Sequence, residues 1–421
     1  MDLVKLLLAI LVLPGPALAA DFFVSPEGSG IRDGSAAGNA ASGKSIPSLF
    51  DRMAAGDRLL LAAGDYSGLT LTLTTGGSPG KPKIIEGAAG AILTSNWAIE
   101  KPDKGSTAIH LAPGLSHVVF RHLSISHHCF GIRATPSKDS PRSHLTFENI
   151  SIDQVRHGFY LSDCDDTILS NCATKRYSKH GFRLDQGCDR VTLKSCHADC
   201  SEGDPVWETK TEVFPFGFIV NDGGAPNTGL LFEDCLARNN IKSNQTVKYT
   251  NGDGFVAEGN NSDIAFVRCR ALRNQDGGFD IKVKDARFTD CIATGHRRDF
   301  RIWNGATLKN CFAGWSQTGL WTKGGPVVAE GCTFFTHRKS GVEVEDKAPG
   351  PLVLKNCLIA SDEPGYTASI GRFEGADSTI VAKTAAEPGF SKPDPKWDGR
   401  GDAMDSAKFP GKGFNSARIA R

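Results

Sequence analysis

The stretch Tyr249–Asn304 reads YTNGDGFVAEGNNSDIAFVRCRALRNQDGGFDIKVKDARFTDCIATGHRRDFRIWN. One short strand-like unit recurs in it three times, as DGFVAE from Asp253, GGFDIK from Gly277 and DFRIWN from Asp299. The first two copies lead into an apolar-x-x-Cys unit, IAFVRC and ARFTDC. Self-similarity at a period of about 20 residues means stacked repeats rather than a mixed globular domain.

Working outward, ten copies align on two anchors. One is the apolar-x-x-(Cys or aliphatic) unit, at Leu123, Ile150, Cys172, Cys196, Cys235, Cys269, Cys291, Cys311, Cys332 and Cys357. The other is an apolar residue opening a strand, at Ile132, Phe159, Phe182, Phe218, Phe255, Phe279, Phe300, Leu320, Val342 and Tyr366. Several short strands per repeat predict an all-β chain, a right-handed parallel β-helix of about ten or more coils. Leucine-rich repeats compete at this period, but their L-x-x-L-x-L pattern is absent. Two coils are longer than the rest. Their extra residues, around SEGDPVWETKTEVFP and IKSNQTVKYTN, are expected to bulge outward as loops.

An open stack needs a cap over its exposed end. Ile46, Leu49, Phe50 and Met53 have helical spacing, and Ser45 is placed to cap the helix N-terminus. The expected organisation is a signal peptide over 1–20, the β-helix over 21–375 and a Pro/Gly-rich tail over 376–421. Lys5 before the apolar run LLLAILVL, then Ala17-Leu18-Ala19, marks the leader. That run is too short to span a bilayer, so a secreted or periplasmic protein with no membrane span is expected.

The formal net charge is +1, which leaves no global field for nucleic acid. Any attraction for an acidic partner must be local. Of the 12 cysteines, eight share one repeat position and read as small buried apolar residues stacked coil on coil. Cys164 and Cys188 lie off that ladder, and a disulfide between them is open.

Strand alternation sets the outer wall. If Phe279, Ile281 and Val283 point inward, Asp280 and Lys282 point out. The same rule puts Arg183, Glu258, Arg301, Trp303, Trp321 and Lys323 on that wall. Asp253 and Asp276 sit in turns just before their strands. The carboxylates cluster at one end of consecutive strands. Trp303 and Trp321 are read as outward aromatic surfaces suited to a sugar ring that carries a carboxylate.

At these residues the chain resembles the family-nine pectate lyases, which belong to the pectin lyase-like superfamily. The resemblance implies calcium held by Asp253, Asp276 and Asp280, and a base on the next coil. Gly277 stands where the family has a further aspartate, and Asp299 or Glu258 is the candidate to compensate, neither being placed by the sequence. The base position falls on Arg301, with Lys282 as the alternative. Lys323, Trp303, Trp321 and Arg183 are expected to bind substrate. The implied protein is a monomeric, secreted, calcium-dependent lyase acting on an acidic polysaccharide such as pectate, alginate or an exopolysaccharide. Two other readings stand beside it. One is a glycoside hydrolase or C5-epimerase on the same fold, for which Asp163, Asp165 and Asp166 are the only other acidic cluster. The other is a non-catalytic β-helix that binds polysaccharide or serves the cell envelope.

Overall fold

The computed structural model describes residues 19–212, 214–246, 249–335, 337–345, 350–360 and 412–418, with the short strands at 366–367, 373–374 and 380–382. Of the expected leader, only Ala19 and Ala20 fall among them.

Every coil-to-coil strand pairing is parallel. The inward residues are direct partners from Ile132 through Phe159, Phe182, Phe218, Phe255, Phe279, Phe300 and Leu320 to Val342, and the strand register continues from Val342 to residue Tyr366. A representative coil has three strands, Ala286–Thr289, Ile292–Thr294 and Arg298–Ile302. The first kind of strand builds a 16-stranded sheet. The other two kinds join into a sheet of 23 strands.

The stacking follows from the side chains. Phe159, Phe182, Phe218, Phe255, Phe279 and Phe300 form one ladder with ring centroids 4.7 to 5.1 Å apart. That spacing matches the separation of hydrogen-bonded strands, so each phenyl ring lies flat on the next. A second ladder, Phe232, Phe266 and Phe288, meets the first edge-on. The eight ladder cysteines are all buried, and all their thiols but that of Cys311 point at carbonyls of the preceding coil, as from Cys269 to Phe232 at 3.2 Å and Cys291 to Phe266 at 3.3 Å. Cys164 and Cys188 are also free and buried.

The coil must bend before each cysteine. The residue there has positive φ: Asn149, Asn171, Ser195, Asp234, Arg268, Asp290, Asn310, Gly331 and Asn356. Asn, Asp and Gly dominate because short polar side chains and glycine tolerate this left-handed region.

A helix, α1 (Ile46–Arg52), covers the N-terminal end with Ile46, Leu49 and Phe50 buried. Ser45 is the residue before its first turn, but its side chain does not cap. Its hydroxyl pairs with that of Ser42 instead, at 3.2 Å. The first long loop carries a second helix, α2 (Pro205–Lys210), whose N-terminus is capped by Asp204. At the far end the ladder passes residue 375, because Ile380–Ala382 pairs with Leu358–Ala360. The boundary expected at 375 therefore falls inside a coil. Within the tail, Phe414 is buried 5.7 Å from the Phe312 ring, and its N–H donates to the Thr333 hydroxyl at 2.8 Å.

Candidate active site

Four consecutive coils bring the candidate residues together. Asp280 is the direct ladder partner of Val256 on one side and of Arg301 on the other, and Arg301 is the partner of Trp321. One wall thus carries Asp253, Asp276, Asp280, Lys282, Arg301, Trp303, Trp321 and Lys323.

The layering was not foreseen. The three aspartates are each 3% exposed or less. In front of them lies a cationic layer: the Arg301 side chain is 15% exposed, Lys282 35% and Lys323 52%. Arg301 Nη1 sits 3.3 Å from Asp276 Oδ2 and 3.5 Å from Asp280 Oδ2. Lys282 Nζ is 3.6 Å from Asp280 Oδ2 and is hydrogen-bonded to Glu258. The Trp303 indole donates to Asp280 Oδ1 at 2.6 Å.

Trp321 corrects one expectation. It is buried, not a platform in solvent. Its ring meets Trp303 edge-on at 5.0 Å, and Arg301 lies over both rings, 4.6 Å from Trp303 and 5.6 Å from Trp321. Outward alternation put both indoles on the wall, but Trp321 packs edge-on against Trp303 and lies beneath the Arg301 and Arg298 guanidiniums. Trp303 remains half-buried, with the Lys323 ammonium 5.0 Å above it. Arg183 does not join the site. It stands three rungs away, through Ile219 and Val256, and is tied to Asp185 over the Tyr160 ring.

Burial, then the neighbouring Asp280 and Asp276 charges, push the Asp253 carboxyl well above the usual range. Burial also raises Asp276, against the pull of Arg301 and Arg297. For Lys282, burial acts to lower the ammonium, but Asp280 and Glu258 outweigh it and the net shift is upward. A calcium-free lowering of this lysine, which a base would need, is not found.

Calcium takes six to eight oxygens. Asp276 spends its oxygens on Arg297 and Arg301, and Asp280 spends its own on Trp303, Arg301 and Lys282. Asp253 Oδ1 accepts from the Gly277 N–H at 2.5 Å, which leaves Asp253 Oδ2 as the one oxygen of the three without a partner. Among the described residues no three His, Cys, Asp or Glu side chains converge on a point that would hold a metal. As arranged, the donor set does not fit calcium. Gly277 gives the reason for the missing aspartate, because a Cβ there would lie 2.7 Å from Asp253 Oδ1. Asp299 is no replacement. It faces into the solenoid, bonded to His296 Nδ1 at 2.7 Å and to the Ser316 hydroxyl at 2.5 Å. Burial holds His296 down at about 3.

Sequence reasoning missed Arg297 and Arg298. Arg297 reaches Asp276 at 3.4 Å, and Arg298 lies 5.1 Å over the Trp321 ring. The run His296-Arg297-Arg298 just before an inward phenylalanine was the available signal.

A family profile described as a right-handed β-helix region matches residues 140–313. Among solved structures the chain is similar to pectate lyase Pel9A, at 14% identity over 95% of this chain and 98% of that one, with a TM-score of 0.52. The fold these share with the chain is the right-handed parallel β-helix. A mannuronic acid specific family 6 polysaccharide lyase from human gut microbiota gives 10% identity, 87% and 88% coverage and a TM-score of 0.52. An α-1,3-glucanase catalytic unit from Streptomyces thermodiastaticus gives 14% identity, 88% and 70% coverage and a TM-score of 0.52. No curated protein matches the chain in sequence. Lyases and a hydrolase thus share this architecture, and at these identities the likeness is one of fold. Among the described residues no helix is long and apolar enough to cross a membrane.

Proposed function

We propose that this protein is a polysaccharide lyase that cleaves a uronate-containing glycan by β-elimination. The observation that supports it is the layering: cations at the surface of one wall, with buried carboxylates behind that hold them in place. Such a wall receives an anionic sugar and turns away none of its charge.

The C5 proton of a uronate is barely acidic while the adjacent carboxylate keeps its charge. Lys282 and Arg301 neutralise that carboxylate and stabilise the enolate-like intermediate as charge grows. The C5–H bond breaks, the C4–O bond breaks with its electron pair on the leaving oxygen, which takes a proton from solvent water, and a C4–C5 double bond forms. A guanidinium cannot accept a proton without losing one. Asp276, raised by burial and 3.3 Å from Arg301, is the place where that proton goes. Arg301 is therefore the proposed proton abstractor, with Asp276 behind it. Lys282 has its pKa raised, so its role is charge neutralisation. Lys323 above Trp303 holds a neighbouring sugar. No step is routed through calcium. The apolar leader supports export, and the protein acts alone on its polymer.

A hydrolase has one observation in its favour. Burial raises the Asp253 carboxyl, which is the direction a general acid needs. It lies behind Arg301, however, and a hydrolase needs two carboxyls flanking the bond. Incubation with uronate polymers separates the two: a lyase yields ultraviolet-absorbing unsaturated ends, and a hydrolase yields reducing ends without that absorbance.

A further inference from the structure

A pocket of about 300 Å³ lies on the turn beside the cationic wall. Gln275, Arg297, Gln317 and Arg338, from four successive coils, line it together with Trp315, and Ser316 is in its floor. Trp315 occupies the turn position where neighbouring coils have Asn239, Arg273 and Gly295, all at positive φ. The left-handed backbone is common to these coils. A tryptophan there occurs in only one of them. Its ring is fixed from behind by Phe312 at 5.8 Å and by Phe335 edge-on at 5.4 Å. Among the described residues, the Trp315 indole N–H and the Arg338 guanidinium have no side-chain partner. Arg297 is shared, because it faces the pocket and also bonds Asp276 of the site.

We infer that this pocket is a second binding site for an acidic sugar unit of the same polymer, stacked on Trp315 and held by Arg297 and Arg338. The inference rests on the lyase reading for the identity of the polymer. An indole gives a flat apolar face to a ring's C–H groups. The two guanidiniums supply planar donor pairs for a carboxylate or sulfate. Gln275 and Gln317 supply donors and acceptors for hydroxyls.

Fluorine NMR on protein labelled with fluorotryptophan reads the pocket without turnover. The Trp315 resonance is assigned by its loss in Trp315→Phe, which keeps an aromatic ring against Phe312 and Phe335. Addition of tri-galacturonate is expected to shift that resonance, and neutral maltotriose is expected not to. Trp315→Phe and the surface variant Arg338→Gln should each raise KM on the cleaved polymer roughly three- to tenfold, with kcat retained. A silent Trp315 resonance in protein that cleaves a uronate polymer overturns the inference. So does an equal shift with maltotriose. If no uronate polymer is cleaved yet tri-galacturonate shifts Trp315, the lyase reading fails and the pocket stands.

Discussion

Arg301 stands directly across the parallel ladder from Asp280, and their side chains meet at 3.5 Å. Strand pairing alone fixes that relationship, since adjacent rungs bring equivalent positions to neighbouring points on the wall. The same guanidinium also reaches Asp276 at 3.3 Å and lies over two indoles. Arg301→Lys keeps the charge but loses the planar fork and the ring stacking. It is expected to retain the fold, seen as unchanged far-ultraviolet circular dichroism, and to lower kcat by about 100-fold or more. A variant with wild-type turnover would remove Arg301 from the chemistry.

Calcium gives a second prediction with an opposite sense in two proteins. In the wild type, Arg301 and Lys282 already occupy the oxygens the ion would need, so calcium at roughly 1 mM should not raise the melting temperature. Arg301→Ala frees oxygens on Asp276 and Asp280 and leaves their charge uncompensated. That variant is expected to be less stable without calcium and to gain stability on its addition. Calorimetry that finds the reverse order would show that the cations yield to the metal.

Asp253 titrates in a direction that can be read by unfolding. Its folded carboxyl lies above the ordinary value, so between the two values the folded state holds more protons than the unfolded one. Stability from this group is greatest below the ordinary carboxylate range and is lost as pH rises toward the folded-state value. Asp253→Asn removes the titration and keeps the acceptor for the Gly277 N–H. Urea unfolding should show it gaining about 1–2 kcal/mol over wild type near neutral pH, and less near about pH 4. A constant difference at both values would contradict the assignment.

Gly277→Asp restores the family's residue in name only. A Cβ at this position meets Asp253 Oδ1 at 2.7 Å, and a fourth carboxylate would join three buried ones. Thermal unfolding should show a loss of about 1–3 kcal/mol from overpacking alone, with no new response to calcium. A stabilised, calcium-responsive Gly277→Asp would mean that the cradle rearranges.

The free thiols allow a chemical count. Alkylation in denaturant without reductant should label Cys164 and Cys188 together with the eight ladder cysteines. Recovery of a peptide pair linked through Cys164 and Cys188 would contradict the structure.

Much of this was legible beforehand because a solenoid is nearly one-dimensional. The inward ladder from Ile132 to Val342 follows from period and alternation, and so does the facing of Asp280 and Arg301. Depth was not legible. Alternation says that Asp253, Asp276, Trp321 and Arg301 leave the core on one side, but not which side chain then covers another. The long side chains of Arg301 and Lys282 reach over the carboxylates, and Arg301 and Arg298 lie over Trp321. Asp299 was misjudged for a related reason. It opens a strand beside the outward residues, yet the turn directs it inward to His296 and Ser316. The ladder likewise extends past residue 375, since the tail's composition hides the short strand at Ile380–Ala382.

The most direct test is the ultraviolet absorbance of the unsaturated uronide during incubation with pectate, alginate and other uronate polymers, run side by side for wild type and Arg301→Lys. Absorbance that rises with wild type on at least one polymer, and stays flat with the variant, is the expected result. Reducing ends without absorbance, no cleavage of any uronate polymer, or equal rates in the two proteins would contradict the account.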